Sequence, residues 1–464
     1  KFGKKGKGLG VSFSSSNVFE KPYRFLDLHY KYANGERPFQ MDESSAYWGG
    51  LPLDAGLKEV QWNSPIGADG KPVPTELKSH KDNMKNFLQT GITSTNNLTV
   101  SGSTDKATYR VSYNNMSNRG LIPNSDLYRN SLSSALTFDM AKNVKLSTNL
   151  NFVRSNSNSR PQTSERDGNP LQAVYYSPSY DVRDLKGVWK PGREEIEQLT
   201  VAPGETDNPY FLAKHLTNAY VRDRLYGNLK LDWTIAPGLT AFVRYAHDMY
   251  DEDRETKIPW SYKSMAKGGY YLENVGRNEG NADFLVTKTI KAGDFDISIS
   301  GGGNIMRQKG NSSNLGGRDL SVPGLYNISN IPVANRVVGN GSYKKAIYSL
   351  YALGSFGFKN QLYLDLTARN DWSSTLPAAN RSYFYPSASL SWLASTTFNM
   401  PSSISMLKFR GGWAQVGNDT DPYQLYPNLG TGNWGNLVTA NLGGTLLNPT
   451  LLPEIATSTE GGVD

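Results

Sequence analysis

The chain has 464 residues, 38% apolar and 11% aromatic, with no cysteine and a net charge of +7 at pH 7. Thiol chemistry, disulfide staples and cysteine-based metal sites are therefore excluded, and no apolar run approaches the length of a membrane-spanning helix. Abundant aromatics in a polar chain argue against disorder, and the modest, dispersed positive charge reads as solvated surface rather than a nucleic-acid footprint.

Residues 1–8 form a basic lead-in with Gly3, Gly6 and Gly8 between lysines. The spacing is not that of a phosphate-cradling loop and no βαβ unit follows, so a flexible junction is the reading. With neither an apolar signal region nor an initiator Met, the chain is expected to be processed or partial. The first predicted strand places Leu9, Val11 and Phe13 on one face, and a long connector runs from about 19 to 93. Strands two and three carry Leu98 and Val100, then Tyr109, Val111 and Tyr113 opposite Arg110, Ser112 and Asn114.

Strand four aligns Leu132, Leu136, Phe138 and Met140. Across the turn Ala141-Lys142-Asn143, strand five sets Val144, Leu146, Leu150 and Phe152 against Lys145, Ser147, Asn149 and Asn151. A second very long connector, about 155–220, precedes strands six and seven, which flank Ala236-Pro237-Gly238. Leu225, Leu229, Leu231 and Trp233 oppose Arg224, Asn228, Lys230 and Asp232, and Val243 and Tyr245 oppose Arg244 and Asp248. A charged loop is predicted around Asp251-Glu252-Asp253-Arg254-Glu255. Strands eight and nine meet at Lys291-Ala292-Gly293-Asp294, and strands ten and eleven at Lys359-Asn360, after a loop over about 308–342. Strands twelve and thirteen and a loop over about 418–455 lead into the opening of a fourteenth.

Two alternations run together here. Along each strand apolar and polar side chains alternate, and along the chain long connectors alternate with short turns. The second has no cause in a soluble sandwich, but it is how a transmembrane barrel sorts periplasmic turns from extracellular loops. Arg, Lys and Asp at mid-strand positions would be untenable in a dry core and suit a wet or plugged lumen. Trp233, Phe356, Phe358 and Trp392, near strand ends, fit interfacial girdles. The fold class is thus all-β: a transmembrane antiparallel barrel with short periplasmic turns and long extracellular loops. Thirteen complete strands cannot close a bacterial barrel, which uses an even number, so the chain is expected to belong to something larger.

Several segments, in order, resemble the barrel of SusC/RagA-type TonB-dependent outer-membrane transporters. They include Ser94–Gly102 followed by Tyr109–Tyr113, Gly120–Asp126, Val322–Asn330, Ala368–Ser374, Tyr383–Ser387, and Leu407–Trp413 with Val416–Asn418; Pro453-Glu454 and Thr457–Glu460 look like the entry to the next strand. The resemblance implies a barrel of 22 strands, of which 13–14 lie here, with residues 1–8 ending a plug domain and 9–464 forming the N-terminal portion of the barrel. It also implies import of an oligomeric nutrient across the outer membrane of a Gram-negative bacterium, energy from TonB, a SusD-like lipoprotein lid, and a dimer of transporter–lid pairs. A TonB box, a plug body and the last third of the barrel are not among these residues. The rival readings are a barrel that anchors a larger secretion or motility assembly, and a soluble binding protein.

Candidate site residues are sparse. The loop aromatics Tyr175, Tyr176, Tyr180, Trp189, Tyr210 and Trp434 offer flat faces for a ligand or for the lid. Asp248, Asp251 and Asp253 are the one set that could hold a hard cation such as Ca²⁺, although the run lacks the spaced calcium-loop pattern and a solvated charged loop is the ordinary reading. Asn370-Asp371-Trp372 reads as structural at the barrel mouth. His29, His80, His215 and His247 lack metal-ligand spacing. No cofactor is implied, and with no nucleophile–base arrangement the chain is not expected to be an enzyme.

Overall fold

The computed structural model describes residues 8–163, 168–398, 400–401, 403–435 and 437–464. Residues 1–7, most of the expected junction, lie outside the described residues. Fourteen strands form one antiparallel sheet in which each strand pairs with its neighbours in sequence. They are β1 Gly8–Glu20, β2 Gly91–Ser103, β3 Ala107–Arg119, β4 Asp126–Ala141, β5 Val144–Ser157, β6 Thr217–Ala236 and β7 Leu239–Ile258. The remainder are β8 Gly269–Ala292, β9 Phe295–Arg318, β10 Arg336–Phe358, β11 Leu362–Ser373, β12 Ser382–Leu393, β13 Lys408–Asn418 and β14 Glu454–Val463. The thirteen strands and the opening of a fourteenth read from the sequence are all present.

Register converts the period-two pattern into two faces. Leu229, Tyr245, Ala282, Ile305, Tyr348 and Trp372 stand side by side across β6–β11, and one residue along the strands the row becomes Lys230, Arg244, Asp283, Asn304, Ser349 and Asp371. On the first face Val243 and Phe284 are 55% and 46% exposed. An apolar surface of this extent would be a liability in water, and it needs no cover against hydrocarbon chains. The polar face is accordingly the lumen side. No helix among the described residues is long and apolar enough to cross a membrane; the crossing elements are strands, whose backbone groups are satisfied by their neighbours.

The rims differ as the connector pattern requires. Short turns at 104–106, 142–143, 237–238, 293–294 and 359–361 share one rim. Lys359 and Asn360 both have positive φ, 53° and 55°, the twist that a two-strand hairpin needs. Near this rim Phe295 and Phe358 lie 4.8 Å apart and Trp392 stacks on Phe409 at 5.7 Å, an aromatic band that includes two of the expected girdle residues. One connector breaks the pattern: 394–407, on the same rim, contains a short helix, Ala394–Thr397.

On the opposite rim the strands run further than the sequence suggests. β8 and β9 have 24 residues each, roughly 80 Å of extended chain, where a tilted crossing takes about ten residues. Half of each stands above the bilayer. The stretch Asp251–Glu255, expected as a loop, is therefore strand within β7, and the 308–342 loop shrinks to 319–335. Charge alone misled: an aqueous upper wall accepts charged residues as readily as a loop does.

Candidate functional site

Above that rim, connectors 21–90, 120–125, 158–216 and 259–268 fold together into a cap. Met84 and Phe87, Ile122, the run from Ala173 to Ala213, and Tyr262 contribute to one buried apolar cluster. Three short helices supply its scaffold: α1 Asn83–Phe87, α2 Pro170–Val174 and α3 Pro209–Lys214. The last two begin on an asparagine followed by proline, and Asn208 Oδ1 accepts from the amides of Tyr210 and Phe211 at 2.7 and 3.2 Å. Side chain and ring together fix where these helices start. Polar links bind the connectors to each other: Asn83 donates to the Tyr180 carbonyl at 2.7 Å, and Asn34 and Trp48 both donate to the Tyr176 carbonyl at 3.1 Å.

The six loop aromatics part company in this cap. Tyr180 and Tyr210 are 3% and 4% exposed; Tyr180 Oη donates to the Ala173 carbonyl at 3.0 Å and Tyr210 packs on Phe87 at 5.1 Å. They hold the cap together from inside. Trp189 packs edge-on against Phe211 and His215, at 5.4 and 5.0 Å. Tyr175 and Tyr176 are half-buried against the same cluster, and Tyr176 Oη donates to the carbonyls of Glu43 and Ser44. Burial pushes the phenols of Tyr176 and Tyr210 up to about 12. Trp434, 81% exposed, stands at the end of a separate hairpin, Leu429–Trp434 with Leu437–Leu442, and offers a whole free face.

Below the cap, the lumen wall carries interlocked ion pairs. Arg244 grips Asp283 through two bonds of 2.9 Å, and Arg224 pairs with Asp248. Glu252, fully buried, accepts from both Arg222 and Arg254, and Arg254 reaches on to Glu273 at 2.8 Å. Asp371 takes Arg369 at 2.8 Å and the Tyr385 hydroxyl at 2.6 Å, so the Asn370-Asp371-Trp372 run divides into an inward anchor and an outward aromatic. Sequence reasoning found the polar face but not the partners, because only register tells which carboxylate lies beside which guanidinium.

The cation candidates do not converge. Asp248 is inward and paired with Arg224, while Asp251 and Asp253 are on the opposite face, sharing Asn274. Among the described residues no group of three or more His, Asp or Glu side chains could hold a metal ion. The four histidines are scattered: His29 packs edge-on against Tyr32 and Trp48, His80 sits 3.7 Å from Asp181, His215 is in the cap core, and His247 is on the outer face beside Tyr245.

The hollows along the wall, among the described residues, include two that bear on the site. A trough of about 850 Å³ on the outer face runs over Ala282 and Gly303 between Leu229, Val243, Phe284 and Leu350; it belongs to the lipid-facing surface. A recess of about 740 Å³ lies where the upper wall meets the cap, lined among others by Arg160, Arg254, Glu273, Tyr262 and Tyr271.

Fold and site together define a membrane β-barrel wall with turns on one side and a folded, charge-backed mouth on the other. Residues 149–464 match the model of the TonB dependent receptor-like β-barrel, and the chain belongs to that family, whose members are transporters and not enzymes. It is 22% identical over 347 residues, 72% of its length, to the TonB-dependent receptor P3 of Formosa agariphila, and it spans 34% of that relative. In fold it is similar along its whole length to the RagAB peptide importer in the closed-closed state, with a TM-score of 0.71, 17% identity and 53% of that chain covered. It also matches a RagAB peptide transporter structure at a TM-score of 0.73 and 17% identity, again covering 53% of that chain. The SusC/RagA-type resemblance read from the sequence agrees with these matches.

Proposed function

We propose that this chain builds the wall and extracellular cap of an importer in the outer membrane of a Gram-negative bacterium. It takes up an oligomeric nutrient, a glycan or a peptide, with energy from TonB and beneath a SusD-like surface lipoprotein. The match of residues 149–464 to the receptor barrel carries the reading. A polar wall backed by paired charges, under a cap built from four connectors, supports it: the cap gives a lid something rigid to close on. The exposed face of Trp434, with Tyr175 and Tyr176 at the cap surface, is the proposed contact for lid or substrate, since aromatics supply large contact area at low entropic cost. Movement of a plug in the lumen, biased by TonB, would open the path as a shift between two populations. Transporter–lid pairs would associate as dimers.

Purification of the full-length protein from its native source in mild detergent tests this. The reading expects a surface lipoprotein in equal amount, a bound oligomer, and uptake of that oligomer that stops when TonB is removed. Recovery in a large secretion or motility assembly, with a sealed barrel and no effect of TonB, would establish the anchoring role instead.

A further inference from the structure

We infer that the recess at Arg160 is a subsite for the terminal carboxylate of an oligopeptide. The inference rests on the import reading above and narrows its substrate. Arg160 lies just beyond β5, where its guanidinium stacks 4.4 Å over the Tyr220 ring. Asn218 holds it there: Nη2 donates to Asn218 Oδ1 at 2.5 Å, Nε donates to the Asn218 carbonyl at 3.4 Å and the Arg160 amide to the same carbonyl at 3.0 Å, which leaves the Nη1–Nη2 edge to meet a ligand. A ring below and an amide at the side fix the fork without neutralising it. No carboxylate pairs with Arg160 among the described residues.

The neighbouring charges are already spoken for. Register sets Tyr220, Arg254, Glu273 and Asn314 side by side across β6–β9. Arg222 and Arg254 share Glu252, and Arg254 also holds Glu273. Three guanidiniums against two carboxylates leave one positive charge, and its position is Arg160. Glu273 opposes an incoming anion, but Arg254 offsets it. A carboxylate that reaches the fork gains a charge-assisted, bidentate geometry in a partly desolvated place.

The rest of the recess selects the kind of carboxylate. Leu216, Ile258 and the rings of Tyr262 and Tyr271 share it with Arg160, and its volume is that of an ordinary ligand pocket. A peptide terminus puts an apolar side chain within two bonds of its carboxylate and fits charge beside grease. A uronate carries hydroxyls on the adjoining carbons, and the Leu216 and Ile258 side of the recess would leave those that face it without partners.

The test uses the full-length transporter with its native partners and three probes: a short leucine-rich peptide acid, the same peptide as its C-terminal amide, and an oligoguluronate. Binding isotherms are expected to show the acid about tenfold tighter than the amide, the size of one charge-assisted hydrogen bond. Arg160→Gln should abolish that preference, with folding of the variant read from its unchanged gel mobility without boiling; Arg160→Lys should keep part of it. Equal binding of acid and amide by the native protein overturns the inference without any variant, as does a preference that survives Arg160→Gln. Arg160-dependent binding of the guluronate alone overturns the peptide assignment. TonB-dependent uptake that persists without a carboxylate preference refutes the subsite and spares the import reading, whereas loss of TonB dependence refutes that reading itself.

Discussion

Glu252→Gln should be among the most damaging single-atom changes in this wall. The native carboxylate is fully buried and carries two guanidiniums, with Arg254 Nε at 2.5 Å and Arg222 on the other oxygen. Glutamine keeps the shape, retains one acceptor oxygen and turns its amide donors towards a cation. Breaking a buried pair by removing one partner costs about 3–5 kcal/mol. Arg222 and Arg254 are, however, 39% and 34% exposed, and Arg254 keeps Glu273, so water and the second carboxylate recover part of that loss. The expected destabilisation is about 2–3 kcal/mol, roughly a 30- to 150-fold change in the folding equilibrium. Urea titration of the full-length protein in lipid vesicles, followed by its migration on gels without boiling, reads this as a shift in midpoint at constant slope. Asp251→Asn, one residue away on the opposite face, should leave the midpoint in place. A cycle with Arg222→Gln should show a coupling energy of about 1–3 kcal/mol. A Glu252→Gln midpoint within error of the parent would refute the claim that register, and not composition, stabilises the upper wall.

Other expectations address the turns and the cap. Gly238 has φ +71°, and a Cβ there would lie 2.4 Å from the Thr289 carbonyl oxygen, so Gly238→Ala should cost about 1–3 kcal/mol, and an unchanged urea midpoint would contradict this. Phe87, 2% exposed in the cap core, should cost about 3–5 kcal/mol of local stability when cut to alanine; limited proteolysis should then cleave within 158–216 while the barrel keeps its folded gel mobility. His215, held between Trp189 and Phe211, is lowered from the ordinary value of 6.5, by burial first and by Lys214 second. The unfolded cap therefore binds this proton more readily than the folded one, so the cap's stability is complete above pH 6.5 and declines as pH falls below it. Hydrogen exchange across 209–216, corrected for intrinsic rates, should be faster at pH 5.5 than at 7.5, and His215→Phe should remove the difference.

Local pattern carried the barrel, and long-range contact carried the rest. Alternation at Leu225–Trp233 or Leu362–Leu366 is a property of a few consecutive residues, and a meander adds no crossover to guess, so strand order was legible. Strand ends were not, because Asp251–Glu255 above a bilayer has the composition of a loop and the geometry of a strand. The cap was invisible for a different reason: Phe87, Ile122, Tyr210 and Tyr262 meet across more than a hundred residues with no periodicity to announce it. Hence loop aromatics that read as one ligand-binding group divide into core, half-buried and free members. Pro170 and Pro209, each behind an asparagine, were the signal available for helices inside the longest connector.

The register also explains why the wall can face a moving body. Across β6–β8 the polar face carries Arg222, Arg224, Lys230, Arg244, Arg254 and Arg277 against Asp232, Asp248, Glu252, Glu273, Glu279 and Asp283. Each is within an ion pair, and Lys291, lower on the same face, pairs with Asp296 of β9, so positive and negative charges cancel pair by pair. A surface of that kind has a weak field beyond a Debye length of about 8 Å, yet it stays hydrated at close range because most of its arginines remain partly exposed. An isolated wall charge would bind any oppositely charged group that passed and slow its release. Mutual pairing removes such traps along the path and leaves selectivity to the mouth, where Arg160 stands outside the ladder. Charge preference should therefore be written at the rim of this barrel, and substitutions of paired wall residues should alter stability before they alter specificity.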